Sequence, residues 1–275
     1  MRIDSHHHFW KYSAAEYGWM SDAQAAIRRD FGPEDLKREI AAAGIDGVVS
    51  VQARQTLEEN DFLLGHAARH DFIKGVVGWV PLIEEHVGSE LEKLAKQPKL
   101  KAVRHVLHDE QDDNYMLRAD FNRGIALLKD FDLVYDILIF EKHLPQTIQF
   151  VDRHPDQVFV LDHIAKPRIK ANELSPWQSR IVELAHRPNV YCKVSGMATE
   201  ADYHDWTPEQ LKPYFDTVLS AFGPKRLMFG SDWPVCIVAV GYVRWAELGR
   251  GWVSDLPAAD QDRILGGTAV EAFRL

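Results

Sequence analysis

Ile3-Asp4-Ser5-His6-His7-His8-Phe9-Trp10 reads as a first β-strand that ends in histidines. Side chains alternate across a strand, so His6 and His8 share one face and His7 points to the other. Two imidazoles side by side at a strand end can hold a metal ion or a bound anion. A purification-tag remnant is the bland alternative, but tags run longer and do not lead from Ile-Asp-Ser into Phe-Trp. No Gly-rich phosphate turn follows this strand, which argues against an open, doubly wound sheet.

Working outward, strand-like and helix-like segments alternate to the end of the chain. After an aromatic loop over 10–30, Pro33 opens a helix that Gly44 stops. Strands are expected over 46–52, 72–80, 101–106, 133–140, 158–163, 190–195 and 226–232. Between them helices are expected over 56–70, 84–95, 118–130, 144–153, 176–186 and from Thr207 to Gly223, with more helix around Trp245 and over 258–273. Thr56 and Glu59 have the spacing of a capping box. Eight strands alternating with helices imply parallel βαβ units. No linker-like stretch divides the 275 residues. The expectation is an α/β protein, a single (β/α)8 TIM-barrel domain over residues 1–275.

Composition narrows the function classes. The chain is 46% hydrophobic and 27% charged, with formal net charge −9 and no basic stripe, so a nucleic-acid partner is not expected. No apolar run approaches the ~18 residues of a membrane span, and no signal peptide is visible. Cys192 and Cys236 lie in or just after strand-like runs, as small buried residues of a reduced, cytoplasmic protein do.

Polar residues close the expected strands: His6, His8, Gln52, Arg104, His105, Asp136, His163, Lys193, Ser195 and Asp232. In a barrel these ends converge on one bowl. Each has a bland reading: Gln52 and Ser195 as hydrogen-bonders, Arg104 as half of an ion pair, Lys193 snorkelling, Asp232 capping a turn. So many polar groups at corresponding positions are costly to desolvate, and point to a site. His6, His8, His163 and Asp232 can hold one divalent ion, Zn²⁺ first, which would lower the pKa of a bound water to about 7. Without an ion, Asp232 can take a proton from water while Arg104 and a histidine stabilise the oxyanion. Both routes lead to hydrolysis of a carbonyl compound. No Gly-x-Ser-x-Gly elbow is present, and neither cysteine has the surroundings of a nucleophile.

The His-x-His of the first strand with Asp232 resembles the amidohydrolase superfamily, of the amidohydrolase-2 type. Arg104-His105, Leu161-Asp162-His163-Ile164-Ala165-Lys166-Pro167, Lys193-Val194-Ser195-Gly196 and Phe229-Gly230-Ser231-Asp232-Trp233-Pro234 are similar to its sugar-lactonase branch, and most of all to the L-fuconolactonase group. The likeness runs over nearly the whole chain. It implies a barrel enzyme that hydrolyses an aldonolactone to the aldonic acid in sugar catabolism. By position, Asp232 would activate water, and His6, His8 and His163 would bind the metal or the carbonyl. Arg104 would polarise the lactone, and Gln52, His105, Lys193 and Trp233 would contact sugar hydroxyls. The chain departs from the wider superfamily at strands four and five, where Arg104-His105 and Tyr135-Asp136 replace the usual second-metal ligands. One ion rather than two is therefore expected, with metal-free catalysis as the alternative. The partner expected is a small sugar lactone, with no nucleic acid and no membrane; self-association is left open. Competing readings are an enzyme acting on an aromatic-derived lactone or decarboxylating an aromatic acid, and a non-catalytic sugar-acid sensor.

Overall fold

The computed structural model describes residues 1–275. Eight strands pair in chain order, every pair parallel: β1 (Ile3–His7), β2 (Gly47–Val51), β3 (Ile73–Gly78), β4 (Leu100–Val106), β5 (Val134–Leu138), β6 (Phe159–Leu161), β7 (Val190–Val194) and β8 (Leu227–Phe229). Helices α1 (Pro33–Ala43), α2 (Leu57–Arg69), α3 (Val87–Leu94), α4 (Ala119–Leu128), α5 (Leu144–Asp152), α6 (Trp177–Ala185), α7 (Pro208–Phe222) and α8 (Tyr242–Val253) follow the strands one by one. This is the (β/α)8 barrel that the alternation predicts.

The ring closes between β8 and β1. Asp232 N donates to His6 O at 2.8 Å, His8 N donates to Trp233 O at 2.6 Å, and Ser5 Oγ donates to Phe229 O at 2.7 Å. The catalytic-looking ends of the first and last strands are thus stitched to each other directly.

Local sequence explains most boundaries. Pro33 sits at the first position of α1, and Gly44 ends it at φ +66°, where a side chain would be strained. Thr207 Oγ1 caps α7 by accepting from Gln210 N at 3.2 Å. The expected capping box at Thr56 does not form. Thr56 precedes α2 without a side-chain bond, and Glu59 instead turns back to accept from Ala53 N and Arg54 Nε, both at 2.9 Å. Strands β6 and β8 end before His163 and Asp232, because the chain there turns into left-handed conformations.

The barrel interior is layered. Ile3, Val49, Val51, Val77, Ala102, Val134, Val160 and Met228 fill the bottom, sealed from below by Ala269, Ala272 and Phe273 near the C-terminus, where α9 (Ala258–Asp262) and α10 (Thr268–Phe273) complete the chain. Lys193 Nζ stands 5.4 Å above the Phe273 ring, so a charged layer rests directly on this apolar plug. No helix is long and apolar enough to cross a membrane.

Candidate active site

Strand alternation puts His6 and His8 together, with Nε2 atoms 3.2 Å apart. His7 points outward, its Nε2 2.8 Å from Ser50 Oγ and its ring against Phe9. Asp232 Oδ1 lies 3.4 Å from His8 Nε2, 3.7 Å from His6 Nε2 and 3.9 Å from His163 Nε2. One carboxylate oxygen from the segment that follows β8 therefore meets three imidazoles, two from the end of β1 and one from the segment that follows β6.

Beneath them runs a buried ion network. Arg104 and Asp136 are register partners on β4 and β5. Arg104 Nη1 donates to Asp162 Oδ2 at 3.0 Å, and its Nη2 donates to Gln52 O at 2.6 Å and Gln52 Oε1 at 3.2 Å. Lys193 Nζ donates to Asp136 Oδ2 at 2.5 Å and lies 3.0 Å from Asp162 Oδ1. That same Asp162 oxygen is 3.3 Å from His6 Nδ1. Asp162 is thus the hub that joins Arg104, Lys193 and His6. In the sequence Asp162 stands out only as a motif letter, and its place beside His163 at the end of the expected sixth strand is the available signal.

The segment after β6 is bent against its preference. His163, Ile164, Ala165 and Lys166 have φ of 52°, 48°, 63° and 48°, and Asp232 has φ 58°. A left-handed conformation costs roughly 1–2 kcal/mol for each such residue, so neighbouring contacts must hold it. Trp177 Nε1 donates to Ile164 O at 2.8 Å, Lys166 N to His163 O at 2.8 Å, and Lys166 Nζ to Glu200 Oε1 at 2.7 Å. His163 Nδ1 pairs with Ser195 Oγ at 2.8 Å. Gly196, at φ +65°, makes room: a Cβ there would lie 2.8 Å from His163 Nδ1.

Burial and neighbours set the charges. Burial pushes the His6 imidazole well below its ordinary value, with Asp162 opposing, and pushes His163 down to about 3. Burial would raise Asp232, but His163, His8 and His6 outweigh it and hold the carboxyl below its usual range. Asp162 follows the same logic: burial would raise it, and Lys193, His6 and Arg104 hold it well below. At neutral pH Asp232 and Asp162 are carboxylates, with His6 and His163 neutral.

This donor set fits one divalent ion. Val51 O, 2.8 Å from His8 Nδ1, can only accept, so Nδ1 carries the hydrogen. A neutral His8 then turns its Nε2 lone pair toward the Asp232 oxygen. Two electron-rich atoms facing each other at 3.4 Å require a cation or a proton between them. The ligand atoms of His6, His8 and Asp232 lie within 4.8 Å of one another. The other group at that spacing, His6, Asp162 and His163, is already neutralised by Lys193 and Arg104, which argues against a second ion.

A cavity of about 250 Å³ opens above this floor, and His8, Arg104, His163 and Asp232 line it. Gln52, His105, Lys193 and Trp233 do not. Gln52 and Lys193 lie below the floor, bound to Arg104 and to the buried carboxylates. His105 follows Arg104 on the same strand and so faces the opposite side, where it pairs with Glu110 at 2.6 Å and stacks on Tyr115 at 5.1 Å. Trp233 packs on Phe31 and Phe9. The cavity wall also includes loop residues that sequence reading did not select: Lys166, Glu200, His108, Asp109, Trp19 and Tyr203.

Comparisons with known proteins place the whole chain among related sequences and folds. L-fucono-1,5-lactonase of Burkholderia multivorans is 39% identical over 286 residues, covering 100% of this chain and 96% of that protein. L-fucono-1,5-lactonase of Burkholderia ambifaria is 36% identical over 284 residues, with the same coverage of 100% and 96%. A crystal structure of an amidohydrolase from Burkholderia multivorans with bound Zn superposes with a TM-score of 0.97 at 40% identity, covering 100% of this chain and 99% of that one. The family model described as Amidohydrolase matches residues 3–275, and the chain belongs to the amidohydrolase family.

Proposed function

We propose that this chain hydrolyses a sugar-derived 1,5-lactone, L-fucono-1,5-lactone or a close stereoisomer, to the aldonic acid. The observation that carries the reading is the convergence of three imidazoles on the Asp232 oxygen at the floor of a cavity that Arg104 also lines. The two relatives that act on such a lactone, 39% and 36% identical over the whole chain, support it.

Asp232, held as the anion, takes a proton from water as the water oxygen bonds to the lactone carbonyl carbon. The oxyanion that forms is stabilised by the Arg104 guanidinium, which Asp162 and Gln52 hold in place beforehand. When the ring C–O bond breaks, Asp232 returns its proton to the departing ring oxygen. Water has then been added across the ester bond, and the carboxylate of Asp232 is restored. Gln52 and Lys193 act as positioning residues rather than sugar contacts.

A divalent ion, Zn²⁺ first, would be held by His6, His8 and Asp232 with His163 alongside. When bound it supplies a Lewis acid and lowers the pKa of water. The cavity wall contains a single arginine, Arg104, which suits a neutral sugar ring better than a dianionic aromatic acid. The two free, buried thiols, Cys192 and Cys236, support a reducing compartment, the cytoplasm.

A pH-indicator assay over a panel of aldonolactones, with and without a chelator, tests the reading. Rapid acid release from L-fucono-1,5-lactone is expected. Silence across the panel with Zn²⁺ supplied would refute it.

A further inference from the structure

Two polar pairs in the cavity wall, one of them an ion pair, take no part in the chemistry above. Lys166 Nζ and Glu200 Oε1 are 2.7 Å apart, and so are His108 Nδ1 and Asp109 Oδ1. Lys166 and Glu200 are only 17% and 20% exposed, and both line the cavity. Lys166 closes the left-handed turn that begins at His163. An ordinary surface ion pair needs no such backbone. Conformations of this cost persist where surrounding structure enforces them, and they gather at functional sites. The turn brings His163 and Lys166, three residues apart, to the same cavity.

The apolar part of the rim points the same way. Trp19 lines the cavity and is nevertheless 47% exposed. A large aromatic face left open in the same cavity as a charged pair suits a ligand with an apolar face and a hydroxylated edge, as a sugar ring has.

We infer that Lys166 and Glu200 form a specificity-determining subsite that binds two adjacent hydroxyls of the lactone ring, with the open face of Trp19 against its C–H face. This rests on the lactonase reading for the identity of the ring. A hydroxyl both donates and accepts. The Lys166 ammonium donates to one hydroxyl oxygen, and the Glu200 carboxylate accepts from its neighbour. The two groups already stand one hydrogen-bond length apart, so a vicinal diol docks on them without separating the pair. A site built to bond hydroxyls discriminates strongly against a ring that lacks them.

The test compares Glu200→Gln and Lys166→Met with the wild type on two substrates, L-fucono-1,5-lactone and the unhydroxylated δ-valerolactone. The readout is the ratio of the two kcat/KM values, with melting temperature measured alongside. A charge-assisted hydrogen bond lost to a hydroxyl predicts that the ratio falls by at least about fivefold in each variant. A smaller fall, including equal losses on both substrates, would overturn the inference and leave the pair as a brace for the turn. If the wild type hydrolyses neither lactone, the lactonase reading fails, and the subsite is judged by calorimetric binding of a 1,5-anhydrohexitol. A Kd raised at least about fivefold in both variants upholds it. No binding, or no change, overturns it.

Discussion

Asp162 Oδ2 accepts a hydrogen bond from Arg104 Nη1 at 3.0 Å, and their side chains are 0% and 4% exposed. Everything at the cavity floor leans on this pair, because the other Asp162 oxygen faces Lys193 and His6. Removing the charge leaves two buried cations, Arg104 and Lys193, with Asp136 as their remaining acidic partner. Asp162→Asn should therefore lower the unfolding free energy by about 3–5 kcal/mol. It should also lower kcat/KM by roughly 100-fold, as Arg104 and His6 lose their seat. Urea unfolding and initial rates check both, and wild-type values in either would count against the hub.

Gly196→Ala probes the neighbouring histidine. The added Cβ meets His163 Nδ1 at 2.8 Å, and the position holds φ +65°. His163 must tilt away from Ser195 and from the Asp232 oxygen. The expected outcome is a fall of about tenfold or more in kcat with a smaller change in KM, and a stability loss of about 1–2 kcal/mol. An unaltered kcat would mean that the position of His163 is not critical.

Asp4, which accepts from His6 N beneath the site, carries a pH signature of its own. Burial pushes its carboxyl up to about 6, although Ser231 N, Ser231 Oγ and Tyr242 Oη all donate to it. A carboxyl raised in the fold binds its proton more tightly folded than unfolded. Its contribution is thus complete below about pH 4 and is lost as pH rises through about 6, a change of about 3 kcal/mol. Asp4→Asn cannot ionise, so its stability relative to the wild type should improve by about that amount from pH 4 to pH 7. Urea unfolding at four pH values measures it. A difference that stays flat with pH would contradict the assignment.

How far these features were legible in the chain differs from element to element. Gly47–Val51 is β-branched and buried on both faces, and Pro33 with Gly44 marks α1 to the residue. The pairing of His6 with His8 follows from strand alternation alone. The same rule excludes His105 once Arg104 faces inward, a constraint that listing polar strand ends ignores. Lys193 does point into the barrel, but its charge is consumed below the floor by Asp136 and Asp162. The turn from His163 to Lys166 was hidden, because ordinary L residues without glycine give no local sign of φ above zero. Glu200, Trp19 and His108 were hidden for another reason. They sit on loops, and only the closed barrel brings those loops together over the site.

The central claim is that Asp232 activates water for attack on a lactone. The most direct measurement is the initial rate of proton release from L-fucono-1,5-lactone, corrected for spontaneous opening, by the wild type and by Asp232→Asn. The account predicts rapid release by the wild type and a loss of about 10²–10⁴-fold in the variant, as removal of a general base brings. Equal rates in the two proteins would contradict it.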